Sequence, residues 1–295
     1  MSTTETHLPT CYRHPDRETG LACSECGRPI CTECMTAAPV GLRCPDHAGS
    51  NARRGPRVGG GSRFVVPRTP LRGTEALVTK ALIAINLAIY LVTAVQGGGL
   101  NAPGGTLWDK MILWGPFVKH GDWWRLITAA FLHASVVHIA FNMLALWWIG
   151  APVENYLGRA RYIGLYLVGG LAGSAGALVN SPTVPVVGAS GAIFAILGAM
   201  LILEWQATGR LGGQAMTLIV INLALNFAFN GAGGNIAIGG HIGGLIGGIL
   251  ATLAFARWGK GHAAYGKLGL AGIAGLVAVG AASVAIAYWK VRGLA

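Results

Sequence analysis

From residue 76 onward the chain is a succession of apolar stretches of 17 residues or more, at about 76–96, 134–151, 160–180, 188–204, 214–230, 236–257 and 268–289. This feature constrains the fold more than any other. A bilayer core offers no water to the backbone, so each crossing segment must satisfy its own N–H and C=O groups. A helix of about 20 residues does this within one segment. Charged residues make up only 11% of the chain, against about 25% in a typical soluble protein. The expected class is an all-α polytopic membrane protein with seven helices.

The first 75 residues have a different character. They hold all six cysteines, 10 of the 22 Lys and Arg and 7 of the 11 Asp and Glu. The composition predicts a small zinc-binding domain over 1–50 and a basic, flexible Arg/Gly/Pro linker over 51–75. A six-helix membrane core is expected over 76–257, then a seventh helix and tail over 258–295. The first apolar run begins too late, and is too long, for a secretory signal. The net charge of +11 suggests nucleic acid only superficially. No aromatic-plus-basic platform accompanies it, and basic loops with scarce acids are normal for membrane proteins. No nucleic-acid partner is expected.

The cysteines pair with histidines at one spacing: Cys11-x2-His14, Cys23-x2-Cys26, Cys31-x2-Cys34 and Cys44-x2-His47. That spacing lets both side chains of a turn reach one tetrahedral ion, and eight ligands suit two zinc ions. A disulfide framework would leave the histidines without a purpose. Spacing alone allows sequential or interleaved use of the pairs. The array resembles a B-box or RING-like double zinc finger. That resemblance implies interleaving: Cys11, His14, Cys31 and Cys34 at one site, Cys23, Cys26, Cys44 and His47 at the other. With both sites filled by protein ligands, the expected role is structural, with the domain binding a protein partner.

Lys and Arg counted loop by loop favour a cytoplasmic N-terminus. Helices two, four and six then all enter from the outer face. Their outer ends carry His138 and Asn142, Ser190, and His241 respectively. The loop of about 97–133 is unusually long. It carries Trp108, Trp114, Trp123, Trp124, Arg125 and His133, and the tryptophans suggest a segment seated at the interface.

Ser190 lies in Val187-Gly188-Ala189-Ser190-Gly191-Ala192, where small neighbours let other groups approach its hydroxyl. His241 lies among glycines 239, 240, 243, 244, 247 and 248, whose i+4 rows leave nearly bare backbone. Packing of those rows on Gly191, Ala195 and Ala199 would bring Ser190 and His241 together. Taken alone, glycine rows are ordinary membrane-helix packing. A serine needs a base to attack at neutral pH, and His241 can be that base. Beyond residue 75 the acids are Asp109, Asp122, Glu154 and Glu204. None is placed to orient His241, so the expected machinery is a Ser–His dyad. His138 and Asn142 share a helix face at i,i+4 and can donate towards a developing oxyanion. Their plainer reading is a satisfied interhelical polar pair.

Trp124-Arg125, His138-x3-Asn142, Gly188-x-Ser190-Gly191 and Gly240-His241-x-Gly243-Gly244 together resemble the rhomboid family of intramembrane serine proteases. They match in order, spacing and helix placement over about 120–250. The resemblance implies a six-helix core plus one further helix (6+1), with Ser190 as nucleophile and His241 as general base. His138, Asn142 and the Ser190 backbone N–H would form the oxyanion hole, with Gly188 in support. Trp124 and Arg125 would be structural. Gly240 departs from the alanine common in the family. The implied protein is a multi-pass serine endopeptidase of a bacterial cell membrane. It would cut single-span membrane substrates near the outer face and need no cofactor for the chemical step. Its alternative is a non-catalytic adaptor that binds client membrane proteins and recruits a partner through the zinc domain. A transporter would show internal repeats and midplane acids, and a zinc protease an HExxH helix. The sequence has neither.

Overall fold

The computed structural model describes residues 8–37, 42–47, 76–231, 238–256 and 269–294. Two compact units divide the chain, Met1–Arg63 and Phe64–Ala295. The linker expected over 51–75 lies outside the described residues.

The first unit is built from short strands. β1 (Thr10–Cys11) pairs antiparallel with β2 (His14–Glu18), and β3 (Thr36–Ala37) with β4 (Leu42–Arg43). Its buried apolar side chains, among the described residues, are Cys11, Cys23, Ile30, Cys31, Cys34 and Cys44, with Tyr12, Leu21 and Leu42 packed around them. One isoleucine and five cysteines bury too little apolar surface to offset the entropy of ordering the chain. Asp46 gathers the Tyr12 hydroxyl at 3.0 Å, Arg13 Nη2 at 2.6 Å and Arg28 Nη1 at 3.1 Å. These exposed bonds orient the loops but contribute little to stability.

The second unit is all helical. Its long elements are α1 (Leu77–Gln96), α5 (Val136–Ala145) continuing through one π turn (Leu146–Gly150) into α6 (Ala151–Leu157), α7 (Arg159–Asn180), α8 (Ser190–Thr208), α9 (Gln214–Gly231), α10 (Ile238–Phe255) and α11 (Leu270–Val291). Among the described residues six helices are long and apolar enough to cross a membrane, with Gln214–Asn226 a shorter apolar stretch. This is a multi-pass membrane protein.

The second span runs six residues beyond the expected end at 151. Pro152 sits in the first turn of α6, just after the π turn. There the lost N–H costs little, because the winding has already disrupted the regular bonding. α8 is the centre of the bundle. Every residue from Ala192 to Glu204 is buried, as expected of a helix that is apolar on all sides.

The expected glycine rows do their work in two directions. Gly244 and Gly248 of α10 lie against the backbone of Gly191 and Ala195 on α8. Gly243 and Gly247 instead face Ala172 on α7, and Gly239 faces Gly176 there. α10 is therefore wedged between two neighbours, with close backbone contact on both.

The long loop after α1 is folded. It forms α2 (Gly105–Met111), α3 (Gly115–Lys119), α4 (Arg125–Thr128) and a 3-10 turn (Ala129–Phe131). Arg125 holds these pieces together. Its Nε donates to Asp122 Oδ2 at 2.8 Å, its Nη1 to the carbonyls of Asp109 (2.6 Å) and Ile112 (2.9 Å), and its guanidinium stacks 4.2 Å over Phe117. Trp124 Nε1 donates to the Lys110 carbonyl at 3.1 Å. A buried charge needs such complete compensation.

Candidate active site and candidate metal centres

Three helix N-termini converge on Ser190, the first residue of α8. His241 is the fourth residue of α10 and His138 the third of α5. Free N–H groups and the positive ends of helix dipoles therefore point to one place, which favours an anion there.

The Ser190 hydroxyl oxygen lies 2.8 Å from His241 Nε2. His241 is buried, and its ring stacks on Phe194, with centroids 4.4 Å apart and planes 7° from parallel. Phe194 stands one turn below Ser190, so α8 supplies the hydroxyl and also the surface that sets the imidazole plane. The backbone permits this packing because Gly173 and Gly191 carry no side chain: a methyl on Gly173 of α7 would lie 2.9 Å from Gly191 Cα and 3.1 Å from the Gly240 carbonyl oxygen, and one on Gly191 would lie 3.2 Å from Gly173 Cα.

His138 is set by its own helix start. Ser135 caps α5, accepting the His138 N–H at 3.2 Å. The Ala134 N–H points at His138 Nδ1 from 3.4 Å, an arrangement in which Nδ1 accepts and Nε2 carries the proton. That Nε2 faces Gly188, where a methyl would lie only 2.8 Å away. Gly188 also has φ +127°, a conformation side chains rarely adopt. Its N–H donates to the Ala129 carbonyl at 3.0 Å, so Gly188 provides clearance and is not itself a donor to the site. Asn142 is buried, and its amide returns to the His138 carbonyl at 3.1 Å.

His133 packs edge-to-face on His138 with ring centroids 5.1 Å apart. Burial in the loop depresses its pKa to about 3, so it is neutral near pH 7.

Neither ring nitrogen of His241 is left over. The Asn226 amide, on α9, lies 2.8 Å from His241 Nδ1. Reading the sequence for acids passed this residue over. Its signal was an amide inside an apolar helix, a position costly enough to imply a partner. Two buried acids are engaged elsewhere. Glu154 accepts the N–H groups of Val78 (2.9 Å) and Thr79 (2.7 Å) and the Thr79 hydroxyl (2.8 Å), closing the start of α1. Glu204 accepts the Ala215 N–H at 3.0 Å at the start of α9.

Residues 120–258 match the family profile of the Rhomboid domain. That stretch of the chain carries a Rhomboid domain. Over 193 residues, 60% of its length, it is 35% identical to "Rhomboid protease GluP" of Bacillus subtilis. It is 34% identical over 140 residues, 46% of its length, to "RHOMBOID-like protein 7" of Arabidopsis thaliana, and 41% identical over 118 residues, 37% of its length, to "RHOMBOID-like protein 5" of the same plant. The matches cover 37%, 45% and 38% of those relatives' own lengths. They come from a bacterium and a plant alike.

In the N-terminal unit two clusters form. Cys11, His14, Cys31 and Cys34 make one, and Cys23, Cys26, Cys44 and His47 the other; within each, all ligand atoms lie within 4.8 Å of one another. All six cysteines are free thiols. The chemistry of the donors can be tested against zinc. Bonds of about 2.3 Å to sulfur and about 2.0–2.1 Å to nitrogen, at tetrahedral angles, put S···S near 3.8 Å and S···N near 3.6 Å. The clusters show Cys26–Cys44 at 3.8 Å, His14 Nδ1 to Cys11, Cys31 and Cys34 at 3.8, 3.3 and 3.4 Å, and His47 Nδ1 to Cys23 and Cys44 at 3.9 and 3.2 Å. The donor sets fit.

Proposed function

We propose that this protein is an intramembrane serine endopeptidase that cuts membrane-spanning substrates. The observation that carries the reading is the 2.8 Å approach of Ser190 Oγ to His241 Nε2 beneath three helix N-termini. In the proposed reaction Ser190 Oγ attacks the scissile carbonyl carbon while His241 Nε2 takes its proton. The carbonyl oxygen becomes an oxyanion, for which the Ser190 N–H at the helix start and His138 Nε2–H are the donors at hand. Asn142 joins them if its amide turns from the His138 carbonyl. The C–N bond then breaks, and the proton on His241 passes to the leaving amine. Water, its proton taken by His241, attacks the Ser190 ester; the ester C–O bond breaks, the new carboxyl group leaves, and the proton returns from His241 to Ser190 Oγ.

The substrates would be single-span proteins whose helix unwinds locally, since a carbonyl held in a helical hydrogen bond is a poor target. With basic segments inside, the N-terminus is cytoplasmic and the site opens to the outer face. A half-buried Ser190 at a helix end is reached by water from that face. The N-terminal unit would hold two structural zinc ions through the two clusters, supplying the folding energy its small core lacks, and would dock a protein partner.

The test is cleavage of a single-span substrate by purified protein in lipid. Native protein should cut near the outer end of the span, while Ser190→Ala and His241→Ala should leave it intact. Cutting by Ser190→Ala at the native rate would refute the reading.

A further inference from the structure

We propose that Asn226 is a positioning residue for His241: its Oδ1 accepts the Nδ1–H, so that the Nε2 lone pair faces the Ser190 hydroxyl. This rests on the serine-protease reading above. The first observation is the 2.8 Å contact between the Asn226 amide and Nδ1. The second is that Asn226 behaves unlike its peers. Asn86, Asn142 and Asn222 each return their amide nitrogen to the carbonyl four residues back, at 2.8, 3.1 and 2.8 Å. That is the ordinary way to satisfy an amide in an apolar helix. Asn226, one turn after Asn222 and only 8% exposed, reaches from α9 to α10 instead.

The chemistry explains why this contact matters. A neutral imidazole carries one proton, and only the form with the proton on Nδ1 can take a second from serine at Nε2. Among the described residues no carboxylate stands at Nδ1, because Glu154, Glu204 and Asp122 are bound elsewhere. In the structure Asn226 Nδ2 faces Nδ1, which places the proton on Nε2. A half-turn of the carboxamide brings Oδ1 to the same position and selects the base-competent form. The serine proton then moves to Nε2 and on to the leaving amine, while the Nδ1–H stays bonded to Oδ1 throughout. Asn226 itself gains and loses nothing.

The test combines a spectroscopic signature with kinetics. In full-length native protein carrying 15N-histidine, His241 should show a protonated Nδ1 and a bare Nε2; the opposite assignment would overturn the proposal without recourse to any variant. Asn226→Leu should lower kcat and the rate of Ser190 labelling by a fluorophosphonate about ten- to hundred-fold, as expected for a hydrogen bond to a charge-bearing partner. KM should stay within about twofold, since Asn226 acts on the catalytic step and not on substrate binding. Asn226→Asp should restore labelling, whereas a purely structural role predicts no such rescue. Labelling of Asn226→Leu at the native rate would also overturn the proposal. If native protein is itself unlabelled, the protease reading fails, while the 15N assignment still decides whether Asn226 sets the tautomer.

Discussion

At the scale of single residues, the membrane unit spends its few polar groups on specific partners. Glu154 illustrates this. Acids in a bilayer read as catalytic candidates, yet Glu154 is buried against the first turn of α1 and accepts three hydrogen bonds there. It serves as an N-cap supplied from another helix. Replacing it by alanine leaves two buried N–H groups unpaired, so Glu154→Ala should cost about 2–4 kcal/mol. Equilibrium unfolding in detergent measures this, and a loss under about 0.5 kcal/mol, the range of an ordinary surface change, would contradict the capping role. The residues meeting at the site were legible in part. Ser190, His241, His138 and Asn142 stood out because each is polar near the start of an apolar helix. Asn226 did not, because a neutral amide has neither motif nor charge to mark it, and only the packing of α9 shows what it touches. Gly188, expected in support, donates its N–H to the Ala129 carbonyl and leaves room for the His138 ring.

At the scale of elements, glycine decides which helices touch. The i+4 rows of α10 were readable as close-packing faces. That they divide between α7 and α8 was not, because spacing gives the face and leaves the neighbour open. Two glycines make opposite predictions. A methyl on Gly244 would run into the Gly191 carbonyl, backbone that cannot yield, whereas one on Gly280 of α11 would meet Val168 and Leu171 at 3.8 and 3.9 Å, ordinary contact. Gly244→Ala should therefore push α10 from α8, separate His241 from Ser190 and abolish activity. Gly280→Ala should stabilise by about 0.5–1 kcal/mol, the helix-interior difference between the two residues. Thermal unfolding of both variants, with activity measured in parallel, checks the contrast; equal behaviour would contradict it. Helix ends were the least legible feature. Span two continues past Pro152 because a π turn precedes it. α8 continues to Thr208 and ends at Gly209, whose left-handed backbone closes the last turn.

At the scale of the whole molecule, two units with different means of stability share one chain. The membrane unit packs helices over a large core. The N-terminal unit buries one isoleucine and five cysteines, and its two clusters of mixed cysteine and histidine have the spacing zinc requires. Metal analysis of residues 1–50 should find about two zinc ions per chain. Strong chelation should unfold that unit, seen as loss of dispersion in its amide spectrum, because binding energy and folding energy are the same quantity there. A well-folded, metal-free fragment would contradict this. The interleaved pairing was available only through resemblance to double zinc fingers, since spacing admitted a sequential one. The structure gathers the interleaved sets.

The central claim is that Ser190 is a nucleophile made reactive by His241. Its most direct test is the mass of the Ser190 peptide after full-length protein in lipid meets a fluorophosphonate probe. Native protein should gain one adduct at Ser190, and His241→Ala should gain none. An unmodified Ser190 in native protein, or equal labelling without His241, would contradict the claim.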